Sequence, residues 1–111
     1  MVKVFEQGDI VFMDFCPQAG HEQAGRRPAL VISKTFFNRK SSTIMVCPIT
    51  HTERALFFQP KLPDGLKTDG YVLCDQARFL DLGVRNADFA EKVPQNFLAE
   101  VVDIVYSLIE V

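Results

Sequence analysis

The sequence has few of the residues that mark secreted, membrane-bound or metal-stabilised proteins. Its three cysteines lie far apart, at Cys16, Cys47 and Cys74, and form no Cys-x-x-Cys pair. Neither a disulfide framework nor a zinc knuckle is therefore indicated, and a reducing, cytoplasmic compartment is expected. Glu6 and Asp9 interrupt the short apolar start. No run of about eighteen apolar residues follows, so we expect no export signal and no membrane span.

The chain also lacks an excess of positive charge. It carries 12 Lys and Arg residues against 14 Asp and Glu residues, a formal net charge of −2. Proteins that coat nucleic acid through bulk charge are therefore excluded, although a confined basic site is not. A chain of 111 residues that is 48% hydrophobic can bury a core without metals or disulfides. It predicts a single domain spanning residues 1–111.

Short runs rich in β-branched and aromatic residues predict strands at residues 10–15, 29–32, 43–49, 56–59 and 71–74. The first two runs do not alternate between apolar and polar residues, which is typical of strands covered on both faces. Pro48 indicates an edge or bulge position in the third run, because proline cannot donate a ladder hydrogen bond. Cys47 and Cys74 are expected to be small buried residues within strands.

Two further segments are not strands. A proline and two Asp-Gly pairs make residues 63–70 a turn-rich loop, and residues 35–40 suit a short helical turn. After Pro94, apolar residues recur at helical spacing, at Phe97, Leu98, Val101, Val102, Val105, Leu108 and Ile109. The pattern therefore predicts a mainly β fold, a small barrel closed by one amphipathic C-terminal helix.

Residues 20–33, GHEQAGRRPALVIS, form the most unusual segment of the chain. Two adjacent arginines, Arg26 and Arg27, stand where a polar loop enters a hydrophobic strand. The strand fixes the backbone of an arginine at such a junction, and the planar guanidinium can hold a phosphate through two parallel hydrogen bonds. The segment alone leaves a second interpretation open, in which both arginines are solvated and Glu22 pairs with one of them.

Five motifs together resemble the MazF/PemK family of toxin–antitoxin endoribonucleases. They are GDIVFMDF near the start, GHEQAGRRPALVIS, an asparagine-containing turn ending at Asn38, CPIT ending at Thr50, and VLCDQARFLD. The resemblance implies an SH3-like β-barrel of the CcdB/PemK type and a homodimer whose RNA groove lies near the subunit interface. It also implies cleavage of single-stranded mRNA at short sequences without a metal or cofactor. A cognate antitoxin, in a complex that could be a heterohexamer, is the implied protein partner.

The resemblance also assigns the central catalytic residues. Arg27 matches the arginine that the family uses on the scissile phosphate, and Thr50 matches a threonine that positions this phosphate through its hydroxyl. Metal-free cleavage needs the 2′-hydroxyl of the RNA as nucleophile, a base, an acid, and a group that stabilises charge on the phosphoryl oxygens. The expected products are a 2′,3′-cyclic phosphate and a 5′-hydroxyl. Because arginine stays charged, charge stabilisation is the expected role of Arg27.

Three residues compete for the role of general base. Glu22 matches a family glutamate near the scissile site, but a carboxylate beside Arg27 would be a weakened base. His21 matches a histidine of PemK-type members and titrates near neutrality. Asp75 matches the acidic residue assigned as base in PemK-type members, whose arginine acid stands two positions earlier. Leu73 occupies that position here, so the PemK acid–base pair does not carry over intact.

Further residues are candidates for RNA contact. Arg26, Gln76, Arg78, His51 and Tyr71 form this set, with Phe57 and Phe58 as additional platforms for stacked bases. His51 and Glu53 lie in the loop after Thr50, where family members differ most in length, so this loop could influence sequence preference. A metal site built from His21, His51 and a carboxylate lacks any fixed ligand spacing, and we reject it.

Two other functions share this type of barrel. One is a CcdB-like poison of DNA gyrase, and the other is a non-catalytic, peptide-binding SH3-like module. Arg27 together with Thr50 favours the endoribonuclease, because a gyrase poison acts mainly through its C-terminal helix and needs no phosphate-binding arginine at this corner. Leu73 keeps the non-catalytic module open.

Overall fold

The computed structural model describes residues 4–15, 25–53 and 56–111. The strands in these ranges are β1 (Asp9–Asp14), β2 (Arg26–Val31), β3 (Ile44–Thr50), β4 (Tyr71–Val72), β5 (Arg78–Leu80) and β6 (Asp88–Lys92). The α-helices are α1 (Thr35–Lys40) and α2 (Gln95–Ile109), and short 3₁₀ turns lie at Cys74–Gln76 and Leu82–Val84. None of the helices in the described ranges is both long and apolar enough to cross a membrane.

The strands form one strongly bent antiparallel sheet. Its order is β4-β3-β2-β1-β6, and β5 pairs with the start of β3 while β4 pairs with its end. The pairing of β1 with β6 shifts register between Ile10 and Val11, where β6 has one extra residue, Ala90, and such a bulge increases the local twist. The predicted mainly β, barrel-like architecture with a C-terminal helix is confirmed.

Hydrophobic clusters cover both faces of the sheet. On one face, Phe97, Val101 and other residues of α2 pack against alternate strand residues such as Ile10 and Leu30. On the opposite face, the intervening strand residues, Val11 among them, pack within the curve of the sheet. The lack of polar alternation in β1 and β2 is explained by this double coverage. The last turn of α2 lies beyond its cluster, and Ile109 is 70% exposed.

Residues 56–59 do not form the predicted strand. They form a turn in which the Gln59 amide donates a 3.0 Å hydrogen bond to the Leu56 carbonyl, and Leu56 and Phe57 are exposed. Composition favoured a strand, but no neighbouring strand lies in register with this segment within the described ranges. Conversely, the three-residue β5 and the largely exposed β6 were not predicted, because each is short and pairs on one side only.

Pro48 lies within β3, which is paired on both sides, so the prediction of an edge or bulge was wrong. On one side Pro48 stands opposite Ala29 of β2. On the other side its carbonyl accepts a 2.8 Å hydrogen bond from the Leu73 amide, just where β4 ends. The position at which Pro48 lacks an N–H therefore lies at the end of the pairing between β3 and β4. Cys74 begins the neighbouring 3₁₀ turn and is not in a strand, although it is buried as expected.

Candidate active site

The register of the sheet places Arg27 beside Thr50. The last pair between β2 and β3 is Ala29 with Pro48, and Arg27 and Thr50 each lie two residues beyond that pair. Both residues line the same cavity. Thr50 in turn pairs with Tyr71 of β4, and the Cβ atoms of such a pair lie about 5 Å apart. We refer to Arg27, Thr50 and Tyr71 as one row across three strands.

This row borders a surface cavity of about 380 Å³. The described residues that line the cavity are Phe12, Arg26, Arg27, Pro28, Ile49, Thr50, His51 and Thr52. None of these lining residues is acidic, and two are arginines. The cavity is therefore suited to an anion, and the Phe12 ring, 40% exposed, adds an apolar surface beside it.

Arg27 is the cation in this cavity that remains available to a ligand. Its side chain is exposed, and within the described ranges its guanidinium makes no hydrogen bond or ion pair. An exposed guanidinium keeps all five N–H donors free for a phosphate. The chemistry expected of Arg27 from the sequence is thus compatible with its surroundings.

The hydroxyl of Thr50 is oriented by its own loop. Its Oγ1 accepts a 3.2 Å hydrogen bond from the Thr52 amide. Within the described ranges the hydroxyl donates no hydrogen bond, so its hydrogen is available to an acceptor such as a phosphoryl oxygen.

His51 joins the two ends of the long β3–β4 connection. Its Nε2 lies 2.9 Å from the Asp69 Oδ1, and both side chains are largely exposed. Glu53 is also exposed at the described end of this loop. His51 thus lines the cavity while being held by the loop of residues 63–70.

Arg26 differs sharply from its neighbour, because acidic and carbonyl groups surround it. Its guanidinium donates to Asp14, Asp88 and the Asn86 carbonyl at 2.8–3.3 Å. Hydrogen bonding from Asn86 and from Arg26 lowers the pKa of Asp14 below its ordinary value. Arg26 lies at the cavity, as expected for an RNA contact, but its donors are already engaged.

Asp75, Gln76 and Arg78 lie away from this cavity. Arg78 stands opposite Val46, four residues before Thr50 in β3, which is roughly 13 Å along a strand. Asp75 accepts a 3.0 Å hydrogen bond from the buried Gln59. These candidates therefore lie on a different part of the surface from Arg27 and Thr50.

The aromatic residues predicted to stack on RNA bases also differ in their distance from Thr50. The Arg78 guanidinium lies over the Phe15 ring at 5.2 Å. Phe57 and Phe58 pack edge to face, with ring centroids 5.1 Å apart, and Phe57 is 75% exposed. Of the predicted stacking residues, Tyr71 is the one adjacent to Thr50.

Two of the three residues predicted as general base cannot be located relative to the cavity. His21 and Glu22, like Cys16, lie outside the described residues. Leu73, at the position of the PemK-type arginine, is buried, with 4% of its surface exposed. No set of three His, Cys, Asp or Glu residues within the described ranges is arranged to hold a metal ion.

The sequence patterns did not indicate several residues that shape the site. Phe12 lies within an apolar run that gave no sign of a role in the site, yet its side chain lines the cavity. Asp14 and Asp88 showed no signal, because their contact with Arg26 joins residues far apart in the chain. Gly70 was read only as a turn residue, although its φ of +130° and its close approach to Thr50 fix the end of β3.

A small open barrel in which an exposed arginine and a threonine line one cavity is the architecture of a class of small β-barrel toxins. The family model of the PemK-like, MazF-like toxins of type II toxin-antitoxin systems matches residues 6–109. The chain belongs to this family.

Individual relatives agree with this assignment. The endoribonuclease PemK of Escherichia coli is 37% identical over 100 residues, which cover 86% of this chain and 75% of PemK. The endoribonuclease toxin ChpB of Escherichia coli strain K12 is 43% identical over 88 residues, 75% of each chain. The chain is therefore an endoribonuclease toxin, and the gyrase-poison and non-catalytic alternatives are not favoured.

Solved structures give the same picture. The crystal structure of MazF from Deinococcus radiodurans superimposes with a TM-score of 0.87 at 39% identity, covering 99% of this chain and 100% of that one. MazF in a MazE-MazF crystal structure from the same organism has a TM-score of 0.84 at 33% identity, with 98% of both chains covered.

Proposed function

We propose that this toxin cleaves single-stranded mRNA at the cavity of Arg27 and Thr50, in the cytoplasm and without a metal ion. The 2′-hydroxyl of the RNA attacks the adjacent phosphorus, and the bond to the 5′-oxygen breaks. The products are a 2′,3′-cyclic phosphate and a 5′-hydroxyl. The observation that carries this proposal is that Arg27 and Thr50 line one cavity, where no described residue pairs with the Arg27 guanidinium or accepts the Thr50 hydroxyl hydrogen.

Arg27 holds the scissile phosphate and stabilises its transition state. Two parallel N–H donors reach the non-bridging oxygens, whose charge increases as the 2′-oxygen bonds to phosphorus. Thr50 donates its hydroxyl hydrogen to one of these oxygens. Because the described lining residues include no carboxylate, little repulsion opposes the entry of the phosphate.

The base that removes the 2′-hydroxyl proton is His21 or Glu22, and a protonated group returns a proton to the departing 5′-oxygen. Both residues belong to the segment directly before Arg26 in the sequence. Asp75 is the less favoured candidate, because it is not among the described residues that line the cavity and its carboxylate accepts a hydrogen bond from Gln59.

RNA bases contact residues around the same row. Tyr71 and the exposed Phe12 offer rings for stacking next to Thr50, and His51 offers a polar edge. Gln76 and Arg78 lie further along the sheet and would meet a neighbouring nucleotide. Such a short line of contacts is compatible with cleavage at a short sequence.

An antitoxin restrains this activity. The crystal structure of MazE-MazF from Deinococcus radiodurans contains a similar chain with its antitoxin. A flexible acidic and apolar tail laid across the cavity would neutralise Arg27 and cover Phe12. The toxin acts as a homodimer, and its complex with the antitoxin is a heterohexamer.

The test incubates the purified protein with a long RNA in EDTA and maps both ends of every cut. We expect discrete cuts, cyclic phosphate ends, and no cut where the nucleotide before the bond carries a 2′-O-methyl group. Arg27→Ala should lower the cleavage rate about a thousandfold, which is typical of removing a transition-state donor. Arg39→Ala is the matched control, since Arg39 is also exposed but lies on α1.

Three results would contradict the proposal. They are 3′-hydroxyl ends, loss of all cutting in EDTA, or normal cutting by folded Arg27→Ala protein.

A further inference from the structure

Arg26 joins three parts of the fold through its guanidinium. Its Nη1 donates to the Asp14 Oδ1 at 3.3 Å and to the Asn86 carbonyl at 2.9 Å. Its Nη2 donates to the Asp88 Oδ2 at 2.8 Å. Asp14 ends β1 and Asp88 begins β6, so one side chain of β2 connects to the adjacent strand β1 and to β6 on the far side of β1. We refer to Arg26, Asp14, Asn86 and Asp88 as the clasp.

A second set of contacts fixes the clasp itself. The Asn86 side chain donates a 2.9 Å hydrogen bond to the second carboxylate oxygen of Asp14, and Asn86 has a left-handed backbone with φ of +53°. The Arg85 guanidinium donates to the carbonyls of Asp14 and Phe15 at 3.1 and 2.7 Å. Asp14 is therefore held through its side chain and its backbone.

The charges of the clasp argue against RNA contact by Arg26. Two carboxylates, from Asp14 and Asp88, balance its single positive charge. If Arg26 turned toward a phosphate, both carboxylates would lose their contact with its guanidinium close to an incoming anion. Arg27, in contrast, makes no such contact within the described ranges.

Strand geometry couples the two arginines. Successive side chains of a strand point to opposite faces, so anchoring Arg26 on one side determines the direction in which Arg27 leaves the backbone. Catalysis depends steeply on such placement, and an error of about 1 Å can reduce a rate by about a hundredfold.

We infer that Arg26 is a positioning residue, held by Asp14 and Asp88, that aims the neighbouring Arg27 at the scissile phosphate. This inference rests on the proposed function. Of the two adjacent arginines, Arg27 binds the substrate and Arg26 holds Arg27 in position.

The experiment compares Arg26→Gln with Asp14→Asn and Asp88→Asn, using steady-state cleavage of RNA and binding of a 2′-O-methyl analogue that cannot be cut. We expect each variant to lower kcat about tenfold with little change in KM. The double variant Arg26→Gln/Asp88→Asn should be no slower than Arg26→Gln alone. Arg26→Lys should recover part of the kcat, since a cation still faces the carboxylates.

Salt dependence gives an independent measure. Each phosphate contact to single-stranded RNA contributes about 0.7 to the slope of log affinity against log salt. Arg27→Ala should lower this slope by about 0.7, whereas Arg26→Gln should leave it unchanged. Asp103→Asn on α2 is the charge-matched control for the aspartate variants and should alter neither kinetics nor slope.

Thermal unfolding checks that each variant is folded. Asp88→Asn, whose carboxylate is 66% exposed, is the least disruptive of them.

The inference is overturned if Arg26→Gln lowers affinity and slope while the aspartate variants bind RNA more tightly. Arg26 would then be an RNA contact, and the proposed function would stand. Failure of the wild-type protein to cut RNA would overturn the proposed function itself. The cleavage assay on wild type measures this separately from the comparison of variants.

Discussion

Gly70 packs against the backbone of Thr50, and a Cβ atom at position 70 would lie 2.5 Å from the Thr50 carbonyl oxygen. Gly70 also has a φ of +130°, in the region that side chains disfavour. The loop of residues 63–70 can therefore reach the end of β3 only with glycine at this position. Through this contact, the loop fixes the strand end that carries the Thr50 hydroxyl.

Gly70→Ala should therefore disturb both stability and cleavage. Gly65 is the matched control, because its φ is +97° but no atom lies within 4 Å of a Cβ built there. Backbone strain alone should make Gly65→Ala cost about 1 kcal/mol and leave cleavage unchanged. Gly70→Ala should cost more and slow cleavage at temperatures where the protein stays folded. Denaturant unfolding and cleavage rates measure both, and equal effects at the two glycines would contradict the role of the close contact.

Lys92 neutralises a buried carboxylate. Its Nζ lies 2.7 Å from Asp9, which is 5% exposed, and 3.1 Å from Glu6. Partial burial alone would lower the pKa of Lys92, but the hydrogen bonds to Asp9 and Glu6 outweigh it and raise the pKa. Lys92→Met should lower the free energy of unfolding by about 2 kcal/mol, because a buried charge loses its partner.

Asp9→Asn in the Lys92→Met background tests that cause. Removing the uncompensated charge should restore part of the stability, measured by urea unfolding. A double variant less stable than Lys92→Met alone would show that the carboxylate is held by other groups.

Cys47 and Cys74 should be unreactive in the folded protein. Both are buried, and the register of β3 and β4 extended by two residues places them opposite each other. The hydrogen bond that the Cys47 thiol donates to Cys74, together with burial, raises the pKa of Cys47, so its thiolate does not form near neutral pH. The same hydrogen bond lowers the pKa of Cys74, but only 2% of Cys74 is exposed, so a reagent cannot reach it in the folded protein. In a Cys16→Ser background, a thiol reagent at pH 8 should modify neither cysteine until denaturant is added. Rapid modification of the native protein would contradict this environment.

The contribution of Asp14 to stability should depend on pH. Because its pKa is lowered in the folded state, its stabilising effect is present above the ordinary value of 3.8 and is lost as pH falls through the folded value. Asp14→Asn should therefore be less stable than wild type at pH 7, and the difference should vanish near pH 2. Unfolding curves at both pH values measure it. A difference that persists at low pH would point to geometry instead of charge.

Several elements could be predicted from the sequence because neighbouring residues determine them. β1, β2 and β3 appeared as apolar runs, and α2 appeared as a helical stripe after Pro94, since burial of one face requires that period. Strands β5 and β6 could not be predicted, because they exist through pairing with distant strands and have little apolar character of their own. The segment at residues 56–59 had strand composition but no partner strand.

Some residues of the site could be predicted from the sequence, and the roles of others could not. The motif around Arg27 and Thr50 marked both residues, and the resemblance it carried gave the family. The sequence alone did not distinguish the two adjacent arginines. Only the folded chain shows that Arg26 is balanced by Asp14 and Asp88 and that no residue in the described part of the chain pairs with Arg27.

The sequence by itself determined the type of fold, the pair of arginines that begins β2 and the family of the toxin, because these depend on contiguous patterns and motifs. The tertiary structure alone decided that Arg27 and Thr50 line one cavity, that Leu73 is buried and that Asp75 is not among the described residues that line this cavity. The physical reason is that strand register and ion pairing join residues many positions apart. Their relative placement is set by packing of the whole sheet, which no local pattern encodes.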